Sequence, residues 1–299
     1  MTFSIVARDP QTGQLGVAVQ SHWFSVGATV AWAEAGVGAV ATQALAEVSY
    51  GPLGLSLMQG GKPAPAALAA LLTSDEGMAT RQVAMVDSAG RVAVHTGARC
   101  MDYAGHEMGE GFSCQANMMH NPTIWKAMAE AYRTAQGPLA ERLVCALEAG
   151  QAAGGDIRGQ QSAAILVVSG TSSRRPWVDR LVELRVEDHP QPIVELRRLV
   201  RIHNAYDYMS AGDGYLGNGQ IELALDAYRT ADAIAPEIAE IQFWHAVTLA
   251  DMDRLAEALP IFKQVFLSSP NWAELLKRLP SAGMIKVNPE TLQRILALL

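Results

Sequence analysis

The feature that most restricts the fold lies near the beginning of the chain. Two short runs rich in β-branched and apolar residues, Phe3-Ser-Ile-Val-Ala7 and Leu15-Gly-Val-Ala-Val-Gln20, flank the turn-forming stretch Asp9-Pro-Gln-Thr-Gly13. Alternating runs on either side of a Pro/Gly turn read as a β-hairpin, so the chain is expected to begin in an antiparallel sheet that later segments extend or cover. Residues 25–43, cut by Gly27, Gly36 and Gly38, read as two more strands. Residues 51–61 and 64–72 switch to three- and four-residue apolar spacing, a helical pair broken by Gly60-Gly61-Lys62-Pro63. Residues 82–86 and 91–96 alternate around Asp87-Ser-Ala-Gly90, a second hairpin, and 113–118 reads as a further strand. Helical spacing returns over 122–135 and 138–149, and strand composition over 162–168 and 178–186. Each sheet needs a covering layer, so strands, two helices, strands, two helices, strands predicts an α+β, four-layer αββα sandwich.

A different pattern follows His189, where 192–205 reads as a helix. Aligning 205–236 with 239–270 gives a 34-residue offset that matches Gly212 with Ala246, Ala224 with Ala258, Tyr228 with Phe262 and Pro236 with Pro270. Small, small, aromatic and proline are the spacing requirements of a tetratricopeptide-like helical repeat. Residues 271–299 are expected to add capping helices. The predicted organisation is therefore an αββα domain over 1–203 and an all-α, tetratricopeptide-like domain over 204–299, with Asn218, Gln220, Gln242 and His245 as candidate liners of a peptide-binding face.

Composition narrows the function classes. At 49% hydrophobic against 18% charged residues, the 299-residue chain can bury a large core. A formal charge of −7 without a Lys/Arg-dense block argues against a nucleic-acid surface. Arg8 and Asp9 interrupt the apolar run near the N-terminus before it reaches signal-peptide length, and no apolar run is long enough to span a bilayer, so a cytoplasmic protein with no membrane partner is expected. Three cysteines without C-x-x-C spacing argue against a disulfide framework or a zinc-binding motif. No G-x-S-x-G, H-E-x-x-H or Walker A pattern is present, Gly36-Val-Gly38 reads as sheet packing, and neither metal nor cofactor is expected.

Thr2 is small enough at its position for Met1 to be removed, which would leave a threonine at the mature N-terminus. Such a residue carries its own base, because an α-amine with a pKa of about 7.7–8.0 can accept the hydroxyl proton. Polar residues also recur where a plain core would not place them: Gln20-Ser21-His22, Thr42-Gln43, Arg81-Gln82, Gln115-Ala-Asn117 and Gly154-Gly-Asp-Ile-Arg-Gly-Gln-Gln-Ser162.

The blocks Thr2-Phe-Ser-Ile-Val-Ala-Arg-Asp-Pro10, Gly16-Val-Ala-Val-Gln-Ser-His-Trp-Phe-Ser-Val-Gly27, Ala35-Gly-Val-Gly-Ala-Val-Ala-Thr-Gln43, Ser49-Tyr-Gly-Pro52, Gly97-Ala-Arg-Cys100 and Gly154-Gly-Asp-Ile-Arg-Gly-Gln-Gln-Ser-Ala-Ala164 resemble an uncharacterised, mostly bacterial family assigned to the N-terminal-nucleophile (Ntn) hydrolase superfamily. The resemblance runs from Thr2 to about His203, and members often carry an additional C-terminal domain. It implies the αββα fold of proteasome β-subunits and penicillin-type acylases, and amide-bond hydrolysis by the N-terminal residue. The lysine and aspartate that tune a proteasome nucleophile have no clear counterpart here, since the second strand ends in Gln20-Ser21-His22.

On this reading the chain is an amidohydrolase of a small amide, lactam or peptide-type C–N bond, with Thr2 as nucleophile. A backbone N–H near Gln43 and the Asn117 amide are the candidate oxyanion donors, each worth about 3 kcal/mol if placed correctly. Ser21, Asp156 and Ser162 are expected to orient the α-amine, Arg81 and Arg158 to hold a substrate carboxylate, and His22 to add a polar contact. The alternative is a catalytically inactive αββα scaffold that binds a peptide or protein partner through its helical repeats. Self-association into a homo-oligomer is compatible with either.

Overall fold

The computed structural model describes residues 2–298, and the chain divides into two compact units with the boundary between Val200 and Arg201. In chain order the first unit contains β1 (Thr2–Arg8), β2 (Leu15–Ser21), α1 (Gly27–Val30), β3 (Ala31–Glu34), β4 (Gly38–Ala44), α2 (Tyr50–Gln59), α3 (Ala64–Ser74), β5 (Arg81–Asp87), β6 (Val92–Thr96), β7 (Gly105–Gly109), β8 (Phe112–Asn117), α4 (Ile124–Thr134), α5 (Leu139–Ala152), β9 (Ser162–Val168), α6 (Pro176–Asp179) and β10 (Arg180–Val186), and α7 (Pro192–Gly217) begins in it. The strands form two antiparallel sheets, one in the order β10-β9-β2-β1-β8-β7 and one in the order β3-β4-β5-β6. The architecture is mixed α+β.

The opening hairpin forms as its residues dictate. Asp9 accepts the Thr12 N–H and hydroxyl across the turn, and Gly13 takes the left-handed conformation (φ 74°) that closes it. The two strands then pair from Thr2 with Ser21 to Arg8 with Leu15. Period-two alternation sorts the side chains of this sheet onto two faces. Phe3, Ile5, Ala18, Cys114 and Ile165 pack with Met128 of α4, Leu143 and Leu147 of α5, and Leu196 of α7. Val6, Val17 and Val19 pack instead against Ala39, Ala41, Ala84 and Val86 of the second sheet. The opposite face of that second sheet buries Val40, Val83 and Met85 with Leu55 and Met58 of α2 and Ala67 and Leu68 of α3. Full burial of a side chain such as Phe3 or Ile5, both 0% exposed, stabilises by about 1.5–3 kcal/mol. Gly16 lets α5 approach β2, since a Cβ there would lie 2.8 Å from Leu143 Cδ1.

Three elements differ from the sequence expectation. Residues 25–43 open with the short helix α1 before the two strands, because the Ser162 hydroxyl donates to the Trp23 carbonyl and accepts the Val26 N–H, folding this stretch into a turn. β7 was not foreseen: glycine at both ends and a single large apolar residue, Met108, leave no strand signal, and pairing with β8 through the Glu110-Gly111 turn creates it. The helix expected over 192–205 runs unbroken to Gly217.

The second unit contains the remainder of α7 with α8 (Ile221–Ile234), α9 (Ala239–Asp251), α10 (Leu255–Ser268), α11 (Asn271–Arg278) and α12 (Pro289–Leu296). Its backbone repeats at the 34-residue offset. Gly219 and Asp253 both turn left-handed (φ 73° and 59°), and the next residues donate backbone bonds of 2.9 Å, Gln220 to the Tyr215 carbonyl and Arg254 to that of Leu249. Gly212 is small for a physical reason: a Cβ would stand 2.9 Å from the Tyr228 ring. Ala246, Ala258 and Phe262 are fully buried. His245 is not available to line a binding face, being 5% exposed with Nδ1 bonded to Asp232 at 2.5 Å, and the Gln242 amide donates to the Pro236 carbonyl. Asn218 and Gln220 are exposed.

Candidate functional site

Strand register gathers polar residues that are far apart in sequence. Ser162 pairs with Ser21, Ser21 with Thr2 and Thr2 with Asn117, so four adjacent strands, β9-β2-β1-β8, carry one polar row across the end of the first sheet. In the second sheet Gln43 pairs with Gln82 and Gln82 with Thr96, a matching row across β4-β5-β6. All of these residues are buried except the half-buried Thr96, and buried polar groups are stable only when paired.

The pairing crosses from sheet to sheet. Thr2 Oγ1 donates to Ser21 Oγ at 3.1 Å. The Thr2 carbonyl accepts from Gln43 Nε2 at 3.2 Å and from Asn117 Nδ2 at 3.3 Å. Gln82 Oε1 accepts from the same two amides, at 2.7 and 3.0 Å, while its Nε2 donates to the Ala116 carbonyl, Thr96 Oγ1 and the Gly105 carbonyl. Ser4 donates to Gln43 Oε1 and accepts from Gln115 Nε2, both at 2.7 Å, and Ser113 donates to Gln115 Oε1. The result is a serine–glutamine network that fixes the first residue of β1 from both sheets.

Thr2, Gln43 and Asn117 also line a cavity of about 490 Å³, the size that suits a small molecule. These three are 4%, 1% and 2% exposed, whereas Trp23, Leu45 and Met101 on the same lining are 61%, 60% and 57% exposed. The cavity therefore runs from an apolar mouth to a polar, buried end. Val26, Val30 and Val48 continue the apolar lining, and Arg81, Arg99, Cys100 and Arg158 complete its charged and nucleophilic complement. Ala44, also on the lining, and Met118, which follows Asn117, both adopt left-handed backbone (φ 72° and 56°) where their strands end. Such conformations are costly for residues with a Cβ and concentrate at functional sites.

The expected site residues fall into two groups. Thr2, Ser21, Gln43 and Asn117 are brought together as described. Asn117 is not a free donor, however, because its amide is engaged with the Thr2 carbonyl and Gln82, and it is the Gln43 side chain that reaches the Thr2 carbonyl. Asp156 and Ser162 serve the segment after β2. The Asp156 carboxylate accepts from the His22 N–H at 3.2 Å and from the Arg158 backbone and guanidinium, while Ser162 bonds Trp23 and Val26. His22 is half-buried and lies outside the cavity lining. Arg81 lines the cavity with its fork already occupied: Nε and Nη2 bond Asp75, and Nη1 bonds the Leu45 carbonyl at 2.7 Å. That guanidinium holds the Asp75 carboxyl below its ordinary range. Arg158 is likewise joined to Asp156, at 2.9 Å.

Sequence reasoning passed over Ser4 and Thr96 and gave no role to Gln82, though Ser4 stands two residues after Thr2 on the same strand. It also passed over Arg99 and Cys100, which stood in plain view in Gly97-Ala-Arg-Cys100. Burial pushes the Cys100 thiol up, against a smaller opposing pull from the Gly97 backbone. Among the described residues no cluster of three or more His, Cys, Asp and Glu is placed to hold a metal ion, and no helix is long and apolar enough to cross a membrane. The expected removal of Met1 lies outside the described residues.

Comparison with known proteins gives three findings. The profile of a family described as a family of unknown function, DUF1028, matches residues 2–196. No curated protein matches the chain. Among solved structures, a DUF1028 protein from Silicibacter pomeroyi is similar at 32% identity and a TM-score of 0.60, over 67% of this chain and 88% of its own. Anbu (ancestral beta-subunit) from Yersinia bercovieri matches at 11% identity and a TM-score of 0.32, over 66% of this chain and 91% of its own, a likeness too slight to carry anything across.

Proposed function

We propose, for a chain that belongs to the DUF1028 family of unknown function, that the first unit is an αββα sandwich of the N-terminal-nucleophile type and hydrolyses a small amide, lactam or peptide-type C–N bond. One observation carries the reading. The Thr2 hydroxyl stands at the buried end of a small-molecule cavity, bonded to Ser21, while amides from both sheets hold the Thr2 carbonyl.

With Met1 removed, the Thr2 α-amine takes the hydroxyl proton as Oγ1 attacks the substrate carbonyl carbon. The tetrahedral intermediate collapses as the C–N bond breaks, and the proton on the α-amine passes to the leaving nitrogen. Water, deprotonated by the same amine, then cleaves the acyl ester and restores Thr2. Ser21 aims the hydroxyl. Gln43 and Asn117 fix the backbone from which it projects, and the backbone N–H groups where β4 ends, beside Gln43, are assigned to the oxyanion. Asp156 and Ser162 support this centre indirectly by holding residues 22–26.

The test is covalent labelling with a β-lactone or another acyl electrophile, read by intact mass and by the N-terminal peptide. Wild-type protein lacking Met1 is expected to gain one acyl group on Thr2, and Thr2→Ala none. Equal labelling of Thr2→Ala, or a wild-type chain that keeps Met1 throughout, would overturn the assignment.

A second reading concerns the helical unit. Its 34-residue backbone period, with Gly212 against Tyr228, supports tetratricopeptide-like repeats that bind an extended peptide. Deleting residues 205–299 separates the two functions: labelling persists, and capture of a peptide partner is lost.

A further inference from the structure

We infer that Arg99 recognises the substrate, and that the amide cleaved carries an apolar group on one side and a free carboxylate on the other, the chemistry of an N-acyl amino acid. The inference rests on the cavity being the substrate site proposed above. It begins from charge: the cavity is lined by three arginines and by no aspartate or glutamate, in a chain whose net charge is −7. Two of those arginines are neutralised from behind, Arg81 by Asp75 at 2.9 Å and Arg158 by Asp156 at 2.9 Å. Arg99 has no acidic partner among the described residues, and its side chain is exposed. The one uncompensated charge on the lining is thus a guanidinium, whose planar fork matches a carboxylate.

The loop presenting Arg99 is held in place. Its N–H donates to the Ala79 carbonyl at 2.7 Å, Gly97 N–H donates to the Arg81 carbonyl at 2.9 Å, and Cys100 N–H donates back to Gly97 at 2.9 Å. Gly97 is pressed so close to Ala79 that a Cβ would stand 2.3 Å from its carbonyl oxygen. The rest of the lining is suited to the other half of the ligand, with Val26, Val30, Leu45 and Val48 offering an apolar surface to an acyl chain. A substrate with both features uses the cation and the apolar wall together, leaving its amide to reach Thr2.

The experiment measures binding without turnover. Full-length Thr2→Ala protein is titrated calorimetrically with N-hexanoylglycine and with its uncharged carboxamide, and both titrations are repeated with Arg99→Gln added. The carboxylate is expected to bind roughly tenfold or more tightly than the carboxamide, as a charge-assisted pair provides. Arg99→Gln is expected to erase that preference by weakening carboxylate binding far more than carboxamide binding, with an unchanged thermal melt reporting an intact fold, and Arg99→Lys to restore part of it. Raising the salt concentration should shrink the preference. Equal affinity for the two ligands, an equal loss for both on Arg99→Gln, or no binding of either at millimolar concentration would overturn the inference. Because nothing here depends on acylation, a carboxylate preference in a protein that never labels at Thr2 would refute the proposed chemistry and leave the recognition standing, and labelling without preference would do the reverse.

Discussion

At the scale of single residues, the site is governed by amides. Gln82 is fully buried and accepts from Gln43 and Asn117 while donating to Ala116, Thr96 and Gly105. Gln82→Leu keeps the size and removes the acceptor, leaving amide donors unpaired in a low-dielectric interior. A loss of about 2–4 kcal/mol is expected in a urea melt. Cys100 makes the contrasting case. It lines the same cavity as Thr2, but burial raises its thiol pKa, so at neutral pH it is held as the weakly nucleophilic thiol. Cys100→Ala is therefore expected to label with acyl electrophiles as wild type does, and disappearance of the adduct would move the nucleophile from Thr2 to Cys100. The sequence marked Thr2, Ser21, Gln43 and Asn117 because polar residues at the ends of apolar runs stand out. Arg81 and Arg158, expected to hold a substrate carboxylate, each bond a carboxylate of the protein itself, Asp75 and Asp156.

At the scale of elements, the Arg81–Asp75 pair joins the start of β5 to the end of α3, and Tyr50 of α2 donates to the same carboxylate at 3.1 Å. The bond from Arg81 is the largest influence on Asp75 and holds its pKa below the ordinary 3.8. A carboxyl whose folded pKa is depressed contributes stability that is complete above its unfolded pKa and is lost as pH falls through the lower, folded value. Asp75→Asn is accordingly expected to cost about 1–3 kcal/mol at pH 7, and the gap between variant and wild type to close in thermal melts carried below pH 4. A gap that stays constant with pH would show that the clamp is not ionic. Element identity was largely readable from spacing, as with the hairpin closed by Gly90 between β5 and β6. β7 and α1 were not, because neither owes its form to its own residues: one is made by a neighbouring strand and the other by a hydroxyl at Ser162.

At the scale of the whole molecule, the core of the first unit takes Ile193, Leu196 and Val200 from the start of α7, so a chain ending at residue 204 retains that core. It is expected to melt cooperatively and to label at Thr2, and loss of both would make the helical unit part of the first unit's stability. Local pattern alone determined most of the strands and helices, the 34-residue helical period, and the presence of misplaced polar residues, because period two, period 3.6 and turn chemistry act between near neighbours in the chain. Only the tertiary structure decided that Ser162, Ser21, Thr2 and Asn117 align in one row, that Gln43 and Gln82 meet that row from the other sheet, and that Arg99 alone among the lining arginines keeps an unanswered charge. Strand register is settled when segments about 20 to 140 residues apart close on one another, and a linear sequence carries no direct record of which partner wins.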